Sequence, residues 1–158
     1  MFARTGSRMT DMPYDNDNIF ARILRGEIPA FTVYETEHCL AFMDVMPQSD
    51  GHTLILPKQQ ARNLFELDDR MAAHLIVAVR KVACAVREAF SPDGIRLMQL
   101  NGEAAGQTVP HVHMHVIPCY AGVPPRAHAQ RTADSAVLEQ HAAKIRAELD
   151  RQAVEKAR

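Results

Sequence analysis

His111-Val112-His113-Met114-His115-Val116-Ile117-Pro118 decides how this chain is read. Imidazole and apolar side chains alternate strictly. On a strand the side chains point to opposite faces with a period of two. This predicts a strand over 111–117 with His111, His113 and His115 on one face. Val112, Met114 and Val116 take the other face and can bury against a helix. The result is a row of three imidazoles on a stiff support, open to a ligand.

Three readings of that row stand side by side. It is an incidental group of polar residues, which grouping without a partner disfavours. It is a metal site: imidazole is a common ligand, but same-face neighbours on a strand lie about 6.5–7 Å apart, so two rings at most share one ion. A third ligand then has to converge from elsewhere, with His52 and Asp44 the choices by composition. Or it is a nucleophilic centre, because neutral imidazole attacks phosphorus and titrates near neutral pH. The loop Asn101-Gly102-Glu103-Ala104-Ala105-Gly106-Gln107-Thr108 just before the strand favours the third, since its glycines let backbone N–H groups approach an anion.

Outward from this strand the chain reads as one domain. A short helix over 19–25 is capped by Asp17 or Asn18 and stopped by Gly26 and Pro29. Strands follow at 32–36 and 39–45 as a hairpin, and at 52–56 after the turn Pro47-Gln48-Ser49-Asp50-Gly51. The clearest helix covers 68–90, with Met71, Leu75, Val79, Val82 and Val86 at three- and four-residue spacing. A strand over 95–100, the histidine strand, a Pro-rich connection and a helix from Ser135 to about Val154 complete the order. Strands in runs without βαβ alternation predict an α+β fold, a two-layer antiparallel meander sheet with helices packed on it. Residues 1–16 read as a loosely held extension and 123–158 as a connection and helix completing the domain.

Composition excludes several classes. There are 158 residues with 18 Lys plus Arg against 19 Asp plus Glu, a net charge of −1. That balance argues against a nucleic-acid binder. No apolar run is long enough for a membrane span, and the first residues lack a secretory apolar segment. Cys39, Cys84 and Cys119 form neither a CxxC pair nor a disulfide framework, which fits a reducing, cytoplasmic setting.

The chain resembles the histidine triad (HIT) superfamily, in its branch of small nucleoside-binding hydrolases. HVHMHVIP carries the hallmark His-x-His-x-His. In the expected order stand Asp17-Asn18-Ile19-Phe20, Arg25-Gly26-Glu27-Ile28-Pro29, Leu40-Ala41-Phe42-Met43-Asp44, Gly51-His52, Ile55-Leu56-Pro57-Lys58, Asn101-Gly102 and Ala105-Gly106-Gln107-Thr108-Val109. The resemblance covers residues 17–122. It implies a homodimer that takes a purine nucleotide or nucleotide conjugate, such as a phosphoramidate or dinucleoside polyphosphate. Attack at the α-phosphorus would form a nucleotidyl-histidine that water hydrolyses.

His113 aligns with the nucleophile. His115 aligns with the flanking histidine that contacts phosphate or protonates the leaving group, and His111 with the one that orders the site. Asp44 aligns with the acid holding the ribose hydroxyls. Asn101, Gly106, Gln107 and Thr108 align with the phosphate contacts; Phe20, Ile23, Phe42 and Val45 with the apolar base pocket; His52 with a histidine near the site. Asn18 and Ala21 stand where many relatives carry a CxxC pair, so the structural zinc site of those relatives is expected to be absent. Covalent catalysis of this kind requires no metal, although a divalent ion can accompany a polyphosphate substrate. The alternatives are a nucleotide-binding protein with vestigial catalysis and a metal-dependent hydrolase using two of the three histidines.

Overall fold

The computed structural model describes residues 12–127 and 129–158. Five strands and three α-helices follow one another: α1 (Ile19–Leu24), β1 (Thr32–Glu35), β2 (Cys39–Met43), β3 (Thr53–Pro57), α2 (Asp69–Phe90), β4 (Gly94–Met98), β5 (Met114–Cys119) and α3 (Ser135–Lys156). Among the described residues, two 3-10 turns, Leu64–Glu66 and Glu103–Ala105, precede α2 and β5 respectively. The sheet is antiparallel throughout, in the order β1-β2-β3-β5-β4. The fold is α+β, as the pattern of elements predicts. Its first three strands form the expected meander. β5 then inserts between β3 and β4, leaving β4 on the outside.

Residue parity sorts the two layers. Cys39, Ala41 and Met43 of β2, Ile55 of β3 and Val116 of β5 face α2 and α3. The helices answer with Leu75, Val79, Val82 and Val86, and with Leu138, Ala142 and Ile145. Leu40 and Phe42 of β2 and Leu54 and Leu56 of β3 face the other way, onto Phe20 of α1. Each fully buried aliphatic side chain stabilises by about 1.5–3 kcal/mol relative to exposure. With both faces covered, β2 and β3 are buried at every position, which is why no polar alternation marks them.

The helix starts are local chemistry. Asn18 accepts from the backbone N–H groups of Phe20 and Ala21, and Asp68 accepts from Met71 N–H. No helix among the described residues is long and apolar enough to cross a membrane.

One expectation needs correction. The ladder of the histidine strand begins at Met114, not at His111. The Val112 N–H donates to the Ala61 carbonyl instead of to a strand partner. His111 and His113 therefore sit in an irregular lead-in, and only His115 is held in the sheet, opposite Leu54.

Candidate active site

Beside His113 and His115 lies an apolar cavity of about 240 Å³ between α1, β2 and the lead-in to β5. Phe20, Ile23, Phe42 and Val45, which the resemblance aligns with the base pocket, line it. Asp44 and Thr108 stand at its polar end with the two histidines. Larger grooves exist, such as one of about 560 Å³ between β1 and α3, but no histidines converge on that groove.

The hydrogen bonds set the protonation of each ring. His113 Nδ1 lies 2.6 Å from the His111 carbonyl, which can only accept. The proton is therefore on Nδ1, and the lone pair of this cavity-lining ring is on Nε2. The edge of Phe20 meets the His113 ring with centroids 4.8 Å apart and fixes its tilt.

His115 is held by a second chain. The Gln48 N–H donates to His52 Nδ1 at 3.1 Å, so His52 carries its proton on Nε2. His52 Nε2 then donates to His115 Nδ1 at 2.9 Å. That leaves the His115 proton on Nε2, a donor on a ring that lines the cavity. Asp44 sits alongside, its Oδ1 accepting from Met46 N–H at 2.8 Å and its Oδ2 at 3.5 Å from His52 Nε2.

The expected open row is not formed: His113 and His115 are buried in the cavity wall, at 7% and 3% exposed, and His111 stands apart from it. His111 is fully buried and does not line the cavity, because the chain leaves the strand conformation there and the ring turns inward. Its Nε2 donates to the Pro57 carbonyl at 2.8 Å, and its Nδ1 accepts from the Tyr14 hydroxyl at 2.6 Å. Burial holds its pKa down at about 4, so the ring is neutral at physiological pH. The rings of His113 and His115 stand with centroids 5.1 Å apart.

The glycine loop is a brace. Gln107 Oε1 accepts from Gly102 N–H, and its Nε2 donates to the carbonyls of Arg62 and Val109. Asn101 Oδ1 accepts from Leu64 N–H, and its amide pairs with Gln99. Gly106 closes the 3-10 turn at φ +91, a left-handed geometry that favours glycine. Asn101, Gly106 and Gln107 thus shape the loop that delivers Thr108 and do not themselves line the apolar cavity.

Asp44, His52 and His115 bring three donor atoms within 4.8 Å and are the group that could hold a metal ion. Two of those nitrogens point at each other across a shared proton, which a cation would have to displace. Asn18 and Ala21 serve α1, as its cap and as a buried first-turn residue.

Two residues of the site carry no signal in the sequence. Tyr14 lies in the stretch read as a loose extension, yet its hydroxyl is bonded to His111. Ala129, beyond the resembling stretch, also lines the cavity. Residues 1–11 of that extension lie outside the described residues.

The family model for the HIT domain matches residues 25–122. The chain belongs to the HIT family. This HIT chain is 47% identical over 102 residues to protein hit of Bacillus subtilis, covering 65% of this chain and 70% of that one. It is 41% identical over 100 residues to an adenosine 5′-monophosphoramidase of Schizosaccharomyces pombe, covering 63% and 72%. The crystal structure of a Hit-like protein from Bartonella henselae superposes with a TM-score of 0.81 at 46% identity, covering 86% of this chain and 99% of that one. At the level of the family, nucleotide hydrolysis is the activity these similarities support.

Proposed function

We propose that this HIT chain cleaves a purine nucleotide conjugate, a phosphoramidate or dinucleoside polyphosphate, at its α-phosphorus through a nucleotidyl group on His113 Nε2. The observation that carries this is the 2.6 Å donation from His113 Nδ1 to the His111 carbonyl, in a ring on the wall of a base-sized apolar cavity. Nε2 attacks phosphorus, and the bond to the leaving group breaks with its electron pair on that group. An amine leaving group takes its proton from water. The His113 ring gains positive charge, and the His111 carbonyl then accepts a charge-assisted hydrogen bond from it. Water breaks the phosphorus–nitrogen bond, releasing the nucleoside monophosphate and the neutral ring.

His115 is assigned the phosphate-contact half of the role aligned with it. The chain Gln48–His52–His115 presents Nε2–H as a fixed donor to a phosphoryl oxygen, where charge develops. Asp44 would accept from the ribose hydroxyls, and Asn101, Gly106, Gln107 and Thr108 would set the phosphate loop. None of these steps calls for a metal ion. The cytoplasm suits three free thiols, of which burial pushes Cys39 up to about 11.

A homodimer would use the outer edge of β4. Leu97 shares the helix-side face with the packed Ile95 yet is exposed, and Ile76 and Val77 of α2 are exposed in the same layer. A second copy laid against that edge would pair its backbone and cover these side chains.

The test is intact-protein mass spectrometry after mixing with an adenosine phosphoramidate under alkaline quench, which preserves the phosphorus–nitrogen bond. One adenylyl group on His113, absent from His113→Ala, supports the reading. Tight AMP binding with neither adduct nor turnover would favour the vestigial alternative. Stoichiometric bound metal with chelator-sensitive activity would favour metal-dependent hydrolysis.

A further inference from the structure

We propose that Tyr14 is a positioning residue for this reaction: its hydroxyl locks His111, whose carbonyl fixes which nitrogen of His113 carries the proton. The proposal rests on the reading that His113 acts through Nε2. Tyr14 lies outside the matched residues 25–122, so the similarity to the family does not assign it.

The direction of each bond follows from its partners. The Pro57 carbonyl can only accept, so His111 Nε2 donates to it at 2.8 Å. His111 Nδ1 is then an acceptor, and the hydroxyl 2.6 Å away must donate. His111 is 0% exposed, so no solvent stands by to replace that donor. The two rings also meet edge-on, with centroids 5.7 Å apart. One residue thus ties a phenol, an imidazole and the end of β3 into a single unit. The carbonyl of its central residue receives the His113 Nδ1–H.

The segment that carries Tyr14 is anchored, which makes the contact a built feature. The Asp15 carbonyl accepts from the Asn18 backbone N–H and from its side-chain amide, at 3.3 and 2.7 Å. The Asn16 carbonyl accepts from Arg25, and its side chain accepts from Gln60. Asn18 in turn caps α1, whose Phe20 tilts the His113 ring. The nucleophile is therefore oriented from two sides by one stretch of chain, residues 14–20.

Without the hydroxyl, His111 Nδ1 is a buried acceptor with no donor. The ring regains a partner by turning or by exchanging its proton between nitrogens, and either move disturbs the Pro57 contact and the adjoining carbonyl. His113 then loses the acceptor that keeps its proton on Nδ1. Every molecule with the proton on Nε2 is unable to attack.

The experiment compares wild type with Tyr14→Phe, which keeps the ring and its edge contact. Steady-state kinetics on an adenosine phosphoramidate are expected to show kcat lowered about tenfold with KM held within about twofold, since Tyr14 is not part of the cavity wall. Imidazole 15N NMR of the resting protein should show His113 passing from one tautomer to a mixture. Site-specific 3-fluorotyrosine at position 14 restores the donor in full shape and should return both kcat and the single tautomer. Its more acidic hydroxyl also loses the donor proton at lower pH than tyrosine does, so kcat should fall at lower pH than in wild type, and an unshifted profile would overturn the role of Tyr14 even if Tyr14→Phe folds poorly. Wild-type kcat with an unchanged His113 tautomer in Tyr14→Phe would overturn the role of Tyr14 while leaving the adduct on His113 untouched. Absence of that adduct in the wild-type protein would instead remove the underlying reading, and the NMR result distinguishes the two.

Discussion

His52 Nε2 and His115 Nδ1 lie 2.9 Å apart although 63 residues separate them in the chain. With the Gln48 N–H on the far nitrogen of His52, this contact puts the proton of the neutral His115 ring on Nε2. His52→Ala leaves the cavity wall intact and frees the His115 proton to move between its nitrogens. The expected result is a fall in kcat of about 10- to 100-fold, with AMP affinity by calorimetry nearly unchanged. An unaltered kcat would contradict the relay.

Asp44→Ala should act on binding more than on turnover. The carboxylate is nearly buried and already accepts from Met46 N–H, so it is oriented before a ribose arrives. KM is expected to rise about tenfold, about 1.4 kcal/mol. Wild type should prefer AMP over its 2′,3′-dideoxy analogue, and the variant should lose that preference. If discrimination persists in titrations of both ligands, the ribose is held elsewhere.

His111 makes stability depend on pH. Its pKa is held at about 4 in the fold against 6.5 for an ordinary imidazole, because burial disfavours the charged ring. The unfolded chain therefore binds the proton first as pH falls. The contribution of this group is complete above about pH 6.5 and is lost progressively down to about pH 4, on the order of 3 kcal/mol at most. Urea midpoints measured from pH 7 to pH 4 should drop over that window. The drop should be shallower in His111→Asn, and an equal slope in both would locate the titration in other groups.

Leu97→Asp tests the second copy. A charge on the outer strand would be desolvated in a paired edge and harmless in a lone chain. Sedimentation should give a dimer for wild type and a monomer for the variant, with the fold retained by circular dichroism. A wild-type monomer at micromolar concentration would end the proposal.

Much of the fold was legible because its signals are local. Asn18 and Asp68 announce helix starts by offering a side-chain oxygen to exposed N–H groups. The stripe Leu75, Val79, Val82 and Val86 repeats at helical spacing because one face of α2 lies on the sheet. Strand limits were less legible. Val112 gives its N–H to Ala61, a long-range choice, and the alternation of histidines therefore overstated the strand by three residues at its start. The loop residues Asn101 and Gln107 were named for phosphate contact through the family pattern. In the folded chain their amides close the loop upon itself, a use that residue type alone does not separate from ligand binding.

By itself the sequence determined that three imidazoles stand two residues apart with apolar residues between them, and that strands come in runs between helices, an α+β order. Those are properties of neighbours along the chain, set by backbone periodicity and side-chain chemistry. Tertiary structure alone decided that His111 is buried, that His113 and His115 line the cavity, and which nitrogen of His111 and of His115 carries the proton; His113 and His52 have theirs placed by backbone groups two and four residues away. A neutral imidazole has two ways to hold its proton. For His111 and His115 the choice belongs to whichever donor or acceptor is brought against it from a distant part of the chain: Pro57, Tyr14 and His52 here.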